Sequence, residues 1–418
     1  MRQTILTFIT EINPLKKGQL EQMLQEIRND LHTNAYISFP SLSLLHFASF
    51  VISDDKSTPP LLVFENNFDG EVSAYINELM TKAGPGLHRI YQCCSAYQNN
   101  VFQPQNLKEF LTANIVRPNA FHIGNVGRAS RDIKANQLLR DKLQSYLDDL
   151  FNTVKPASLT SGQLRQQMQQ FVKKEVDPVL SGTLPPHQTF AEKFIPRLRI
   201  ILFAILTLAL LPLVLLLALI IIVILRRKED TDPILVQPPS VSDIELLIGT
   251  ENRITQNHLA SITNIKPGKF RLYLLTGALF GANLLARTST KGKLSGIPSI
   301  HFAHWSIINH GKQLLFLSNY DGSWTSYLDD FIDKAATGLT GIWSNTQGFP
   351  YTRFLVLDGA RDELRFKAFA RNQQVPSLVW YSAYRDLTVQ NIDKDSSIRE
   401  NIFTTLSDPE TKEWLKLF

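Results

Sequence analysis

The sequence predicts an α+β fold made of two copies of one βαββαβ unit with antiparallel sheets, separated by a hydrophobic membrane helix or hairpin. Three observations carry that expectation. Leu62–Tyr91 aligns without gaps to Leu314–Trp343, with eleven of thirty positions identical. Upstream, His46-Phe47-Ala48 matches His301-Phe302-Ala303, with three fewer residues in the second copy before the match resumes. Between the copies, Ile200 to Leu225 runs 26 residues without a charge. A helix of that length extends roughly 39 Å at about 1.5 Å per residue, more than the roughly 30 Å of a bilayer's hydrocarbon core. A gapless internal match of this length is the mark of a duplicated unit.

In the first copy, Thr4–Ile9 reads as a strand, Gly18–Leu31 as a helix, and Leu44–Ile52 and Leu61–Asn66 as strands. A helix over Val72–Lys82 and a short strand at Arg89–Cys93 follow. The second copy repeats the order: strand Ile262–Ile265, helix Phe270–Ala286, strands Ser299–Ile308 and Gln313–Ser318, helix Trp324–Ala336, strand Gly341–Ser344. This is the ferredoxin-like order. Asp69-Gly70 and Asp321-Gly322 supply the turn from strand to helix, with acidic or hydroxyl side chains placed to cap the first free amides. Trp324, Tyr327, Leu328 and Phe331 then share one helix face at spacings of three and four. Further strands are expected at Asn119–Val126 and Thr352–Leu357, and further helices at Ser130–Leu150 and Ala360–Asn372. The apolar run Val375–Tyr381 is expected to return to the second sheet.

The resulting division is residues 1–155 for the first domain and 251–418 for the second. Residues 156–199 form a polar linker and basic flank, 200–225 the membrane segment, and 226–250 a basic flank and Pro-rich linker. Lys193, Arg197 and Arg199 precede the apolar segment; Arg226, Arg227 and Lys228 follow it. These residues suit anionic headgroups and account for much of the formal +5 charge, so nucleic acid is not an expected partner. Cys93 and Cys94 are adjacent and cannot staple a loop; no disulfide framework or metal site is expected. The stretch after Arg2 reads as a strand rather than a leader, which with the cysteine usage favours cytoplasmic domains. A straight crossing helix would part the copies, leaving each to find its counterpart in a homodimer. A hairpin bent at Pro212 would keep both basic flanks and both copies on one side, and is slightly preferred.

The passage Leu-Leu-Phe-Leu-Ser-Asn-Tyr-Asp-Gly-Ser, leading into the Tyr327 helix, resembles the dimeric α/β-barrel superfamily, which includes dye-decolorising peroxidases and related haem proteins. The whole chain resembles a bacterial membrane-associated family with duplicated ferredoxin-like domains. That resemblance implies an inner-membrane location and no particular reaction. The peroxidase motif is incomplete: Ser318 stands where its leading glycine belongs, and Ala360–Asn372 contains no histidine.

His46 and His301 are candidate haem ligands or general bases, against the plainer reading of buried strand histidines. His304 falls on the opposite strand face from His301 and is not expected to share a metal with it. Asp69 and Asp321 are a candidate pair of acid/base carboxylates, against the plainer reading of capping turns. Trp305, Trp324, Trp343 and Tyr327 are candidate ligand-binding aromatics, and Arg361, beside Asp358 and Asp362, faces a helix start where a small anion would sit. The expected function is binding or transformation of a hydrophobic small molecule or lipid, with a haem-dependent peroxidase-like enzyme and a non-enzymatic membrane scaffold as alternatives.

Overall fold

A computed structural model describes residues 2–53, 59–153, 159–176, 190–234, 239–251, 255–286, 294 and 296–418. The first half supplies β1 (Gln3–Glu11), β2 (Leu45–Ser53), β3 (Leu61–Asp69), β4 (Ile115–Val116) and β5 (Ala120–Ile123). The second supplies β6 (Gln256–Asn264), β7 (Ile300–Ile308), β8 (Gln313–Asp321), β9 (Thr352–Arg353), β10 (Leu357–Asp358), β11 (Gln374–Val375) and β12 (Ser377–Ser382). These build two five-stranded sheets, ordered β12-β2-β3-β1-β4 and β11-β6-β8-β7-β5, and a small β9–β10 pair. The pairings are antiparallel throughout. The chain is therefore α+β with antiparallel sheets.

Each sheet borrows a strand from the other half. The chain leaves the first sheet after Val116, passes Pro118, and lays β5 beside β7. It leaves the second sheet after Val375, passes Pro376, and lays β12 beside β2. Proline lacks the ladder donor, so it sits naturally where one pairing ends and another begins. The run Val375–Tyr381 is thus split, and its larger part joins the first sheet rather than the second. Two other expected strands are absent: Arg89–Cys93 and Gly341–Ser344 are largely helical, because Val72–Tyr91 and Trp324–Trp343 run on as single helices. Both segments keep an apolar helical face packed on a sheet, which outweighs the short local pattern.

Helices Lys17–Asn29 and Val72–Tyr91 cover the outer face of the first sheet. Lys269–Ala286 and Trp324–Trp343 cover the second. The inner faces meet: Val51, Leu61 and Val63 pack against Ala260, Ile308, Leu315 and Leu317 in one buried cluster. Beside the sheets, Ser130–Thr153, Ser161–Glu175, Val389–Asn401 and Asp408–Leu415 form a helical layer around Leu143, Met168, Ile398 and Trp414.

The apolar segment is not one straight helix. Phe190–Ala209 and Leu211–Glu229 meet at Leu210, and the apolar pair is bent by 76°. Pro212 stands in the first turn of the second helix, where its missing N–H is harmless but continuation from the first helix is not. Among the described residues no single helix is long and apolar enough to cross a membrane; this bent pair meets the test by length and composition. The bend is neither the straight crossing nor the full reversal expected. Side chains of Lys193, Arg197 and Arg199, and residues 235–238 of the Pro-rich linker, lie outside the described residues.

Candidate functional site

β2 and β7 carry the same irregularity. Register shifts between Leu45 and Phe47, and between Ile300 and Phe302, leaving His46 and His301 as the extra residues. A bulge lets two successive side chains approach one face of the sheet, which simple alternation forbids. His46 and Phe47 consequently reach the inter-sheet space together, as do His301 and Phe302.

Asp69 and Asp321 end β3 and β8, and each is followed by a glycine at positive φ, Gly70 at 92° and Gly322 at 81°. His46 Nε2 lies 3.0 Å from Asp69 Oδ1, at an angle short of a hydrogen bond. His301 Nε2 is hydrogen-bonded to Asp321 Oδ1 at 2.7 Å. The second oxygens accept from Ser130 N at 2.7 Å and Val389 N at 2.8 Å, the first residues of Ser130–Thr153 and Val389–Asn401. The aspartates do cap helices, but not the ones that follow them in sequence. Positive helix N-termini and imidazoles together compensate the burial of two carboxylates.

Tyr384 sits between the pairs. Its hydroxyl is 2.7 Å from His46 Nδ1, and its ring packs on both imidazoles at 5.6 and 6.1 Å. Each histidine also contacts the other half's phenylalanine, His46 on Phe302 at 5.4 Å and Phe47 on His301 at 5.2 Å. Burial, then the charges of Asp69 and Asp321, push the Tyr384 phenol well above its ordinary range. An activated phenolate would need the opposite shift. Tyr384 therefore stays protonated and is hydrogen-bonded to His46 Nδ1, with Asp69 facing the other ring nitrogen.

A second polar layer lies deeper. Glu65 meets His258 Nε2 at 3.0 Å, accepts from Ser49 Oγ and Asn67 Nδ2 at 3.0 Å, and lies 3.6 Å from His304 Nδ1. His258 Nδ1 is 2.6 Å from Ser377 Oγ, His304 Nε2 is 3.1 Å from Thr7 Oγ1, and Trp380 Nε1 donates to Asn319 Oδ1. Burial by itself raises the Glu65 carboxyl, but the His258 hydrogen bond and charge, with His304 and Asn67, outweigh it and bring it to about 2. Burial lowers His304, against the opposing pull of Glu65.

The sequence candidates separate into different layers. His46, His301, Asp69 and Asp321 come together between the sheets. Trp305, Trp343 and Tyr327 lie instead in the core between the second sheet and its helices. There Trp305 stacks on Phe316 at 4.7 Å and meets Trp343 edge-on at 5.9 Å, while Tyr327 stacks on Tyr320 at 4.0 Å. Trp324 lies under the Arg371 guanidinium, 3.6 Å from its ring centroid, and Arg361 is exposed on the turn Gly359–Arg361. Glu65 and His258 were not singled out from sequence, and Tyr384 stood out there only as one of several aromatics able to line a pocket. The signal available was a mismatch around the aligned segments, where Glu65 aligns with Leu317 and Ser49 with His304; that His258 holds the place of Ile5 emerges only from the strand registers.

Neither histidine suits a haem iron. His46 has both ring nitrogens facing partners, and His301 offers Nδ1 only, buried among Phe47 and Tyr384 rings that a porphyrin would have to displace. Among the described residues, no group of three or more His, Cys, Asp or Glu could hold a metal ion. A scan against protein-family models finds no match, and searches of curated proteins and of solved structures likewise return none.

Proposed function

We propose that this chain is a membrane-attached, non-enzymatic scaffold: two ferredoxin-like units, descended from one duplicated unit, joined face to face and tethered by the Ile200–Leu225 segment. The observation that supports it is how the inter-sheet space is occupied. In a barrel of this kind a ligand or cofactor would lie between the sheets, yet Phe47, Phe302, Trp380 and Tyr384 fill that space against both histidines. Side chains there are locked by hydrogen bonds and helix caps rather than held ready for a reactant. Exposed Leu208, Leu213 and Leu219 on the bent helix pair supply the apolar surface a bilayer accepts.

Flotation with anionic liposomes tests the attachment. Wild-type protein should float, and a variant with Leu213, Leu217 and Ile221 replaced by lysine should remain below with its melting temperature unchanged. A lysine variant that floats as well as wild type removes the tether from the proposal. Native mass spectrometry from detergent tests the scaffold role: haem or a stoichiometric small molecule retained by the folded chain would overturn it.

A further inference from the structure

Equivalent helices of the two halves present opposite outer faces. Lys17–Asn29 buries Leu20, Met23, Leu24 and Ile27 and shows Gln19, Glu21, Gln22, Gln25 and Glu26 to solvent. Lys269–Ala286 occupies the corresponding place between β6 and β7 and buries Leu275 and Leu279. Its outer face is apolar: Tyr273 is 68% exposed, Phe280 56% and Leu285 71%. No charge occurs from Leu272 to Ala286, which spans about 22 Å as helix. A helix that packs on a soluble domain has no reason to be apolar on both sides.

The same helix is built onto the end of the apolar segment. Phe203 packs on Phe280 with ring centroids 6.0 Å apart. Asp232, just past the second apolar helix, is held by Lys266 and Arg271 at the start of Lys269–Ala286. Buried Glu229, in the last turn of that apolar helix, accepts from Phe354 N at 3.0 Å and Leu355 N at 2.8 Å. Those two residues hold left-handed φ of 52° and 70°, a conformation that costs non-glycine residues free energy. The strained turn leaves Phe354 and Tyr351 exposed beside Arg226, whose guanidinium lies 5.3 Å from the Phe354 ring. Arg227 and Arg353 are exposed close by in the chain. Aromatic rings next to arginines, flanking an apolar helix end, are the composition of a membrane–water boundary.

We infer that the outer face of Lys269–Ala286, with the turn Tyr351–Leu357, is a second bilayer contact that seats the second half on an anionic lipid surface and leaves the first half facing water. This rests on the membrane attachment proposed above and adds which face of the protein meets the lipid. Continuity with the apolar helices and the neighbouring arginines favour lipid over a second copy of the chain.

Single cysteines at Phe280, Gln22 and Leu216 separate the possibilities, since native Cys93 and Cys94 are buried. Each variant of the full chain carries a bimane label and is reconstituted in phosphatidylglycerol-containing vesicles with or without nitroxide lipids. The Phe280→Cys label should lose most of its emission to nitroxide lipid and resist aqueous iodide, while the Gln22→Cys label does the reverse. Quenching by lipid at Leu216→Cys but not at Phe280→Cys overturns the second contact and leaves the tether standing. Loss of lipid quenching at both sites overturns both. A Phe280→Cys label shielded from lipid and iodide alike points to a second copy on this face and also overturns it.

Discussion

Glu65 is the residue on which the inter-sheet polar layer turns, and its consequence is a pH dependence of stability. Its carboxyl lies near 2 in the folded chain against 4.5 unfolded, so its contribution is present above 4.5 and is lost as pH falls through about 2. His304 is depressed below 6.5 by burial; the unfolded chain takes up the proton first, so stability is complete above 6.5 and declines below it. Both act in the same direction. Urea midpoints should fall from pH 7 towards pH 4 and more steeply below. His304→Gln should remove the part that begins near 6.5, and Glu65→Gln the part below 4.5. At pH 7, Glu65→Gln should cost about 3 kcal/mol, because it removes the buried carboxylate charge that faces His258 and His304. A flat profile in wild type would show that the layer is not ionised as described.

Among the elements, β5 and β12 decide whether the halves stay together. β5 approaches β7 so closely that a Cβ at Gly124 would stand 2.2 Å from the Ile300 carbonyl oxygen. Backbone cannot yield there as a flexible side chain would, so Gly124→Ala should destabilise by about 2 kcal/mol, read as a lowered melting temperature. Gly162→Ala, with open space around its Cβ and a helical backbone, serves as the control and should be neutral or slightly stabilising. The donated strands lead straight into the capped helices. Asn125 Nδ2 donates to the Val389 carbonyl at 3.2 Å and to Asp393 Oδ1 at 2.9 Å, and Arg140 meets Asp395 at 3.2 Å. Exchange of strands and pairing of the following helices thus reinforce each other.

For the whole molecule, the two halves are complementary rather than identical. The first contributes the acid, Glu65, and the second the bases, His258 and His304. Two first halves meeting symmetrically would bury Glu65 opposite no histidine, and a buried charge without its partner costs about 3 kcal/mol or more. Residues 1–176 and 190–418 expressed together should therefore assemble as a one-to-one pair. Size-exclusion chromatography with light scattering on the mixture checks this. Stable homodimers of either half would show that the pairing is not selective.

Local signals were sufficient for what depends on local periodicity and on self-comparison. The α+β class, the strands around His46 and His301, the long helices after Asp69 and Asp321, and the break near Pro212 all follow from spacing, turn residues and the 3.6-residue period. The extra residue in β2 and β7 was not visible, because a bulge is defined by the partner strand and not by its own sequence. The same holds for the helices that Asp69 and Asp321 cap, which begin 61 and 68 residues away in sequence, at Ser130 and Val389. Only the folded chain decided which sheet Ser377–Ser382 would join and that Glu65 would meet His258. Sequence encodes each element's preference; contacts between distant elements are settled by the three-dimensional competition to bury apolar faces and satisfy buried charge.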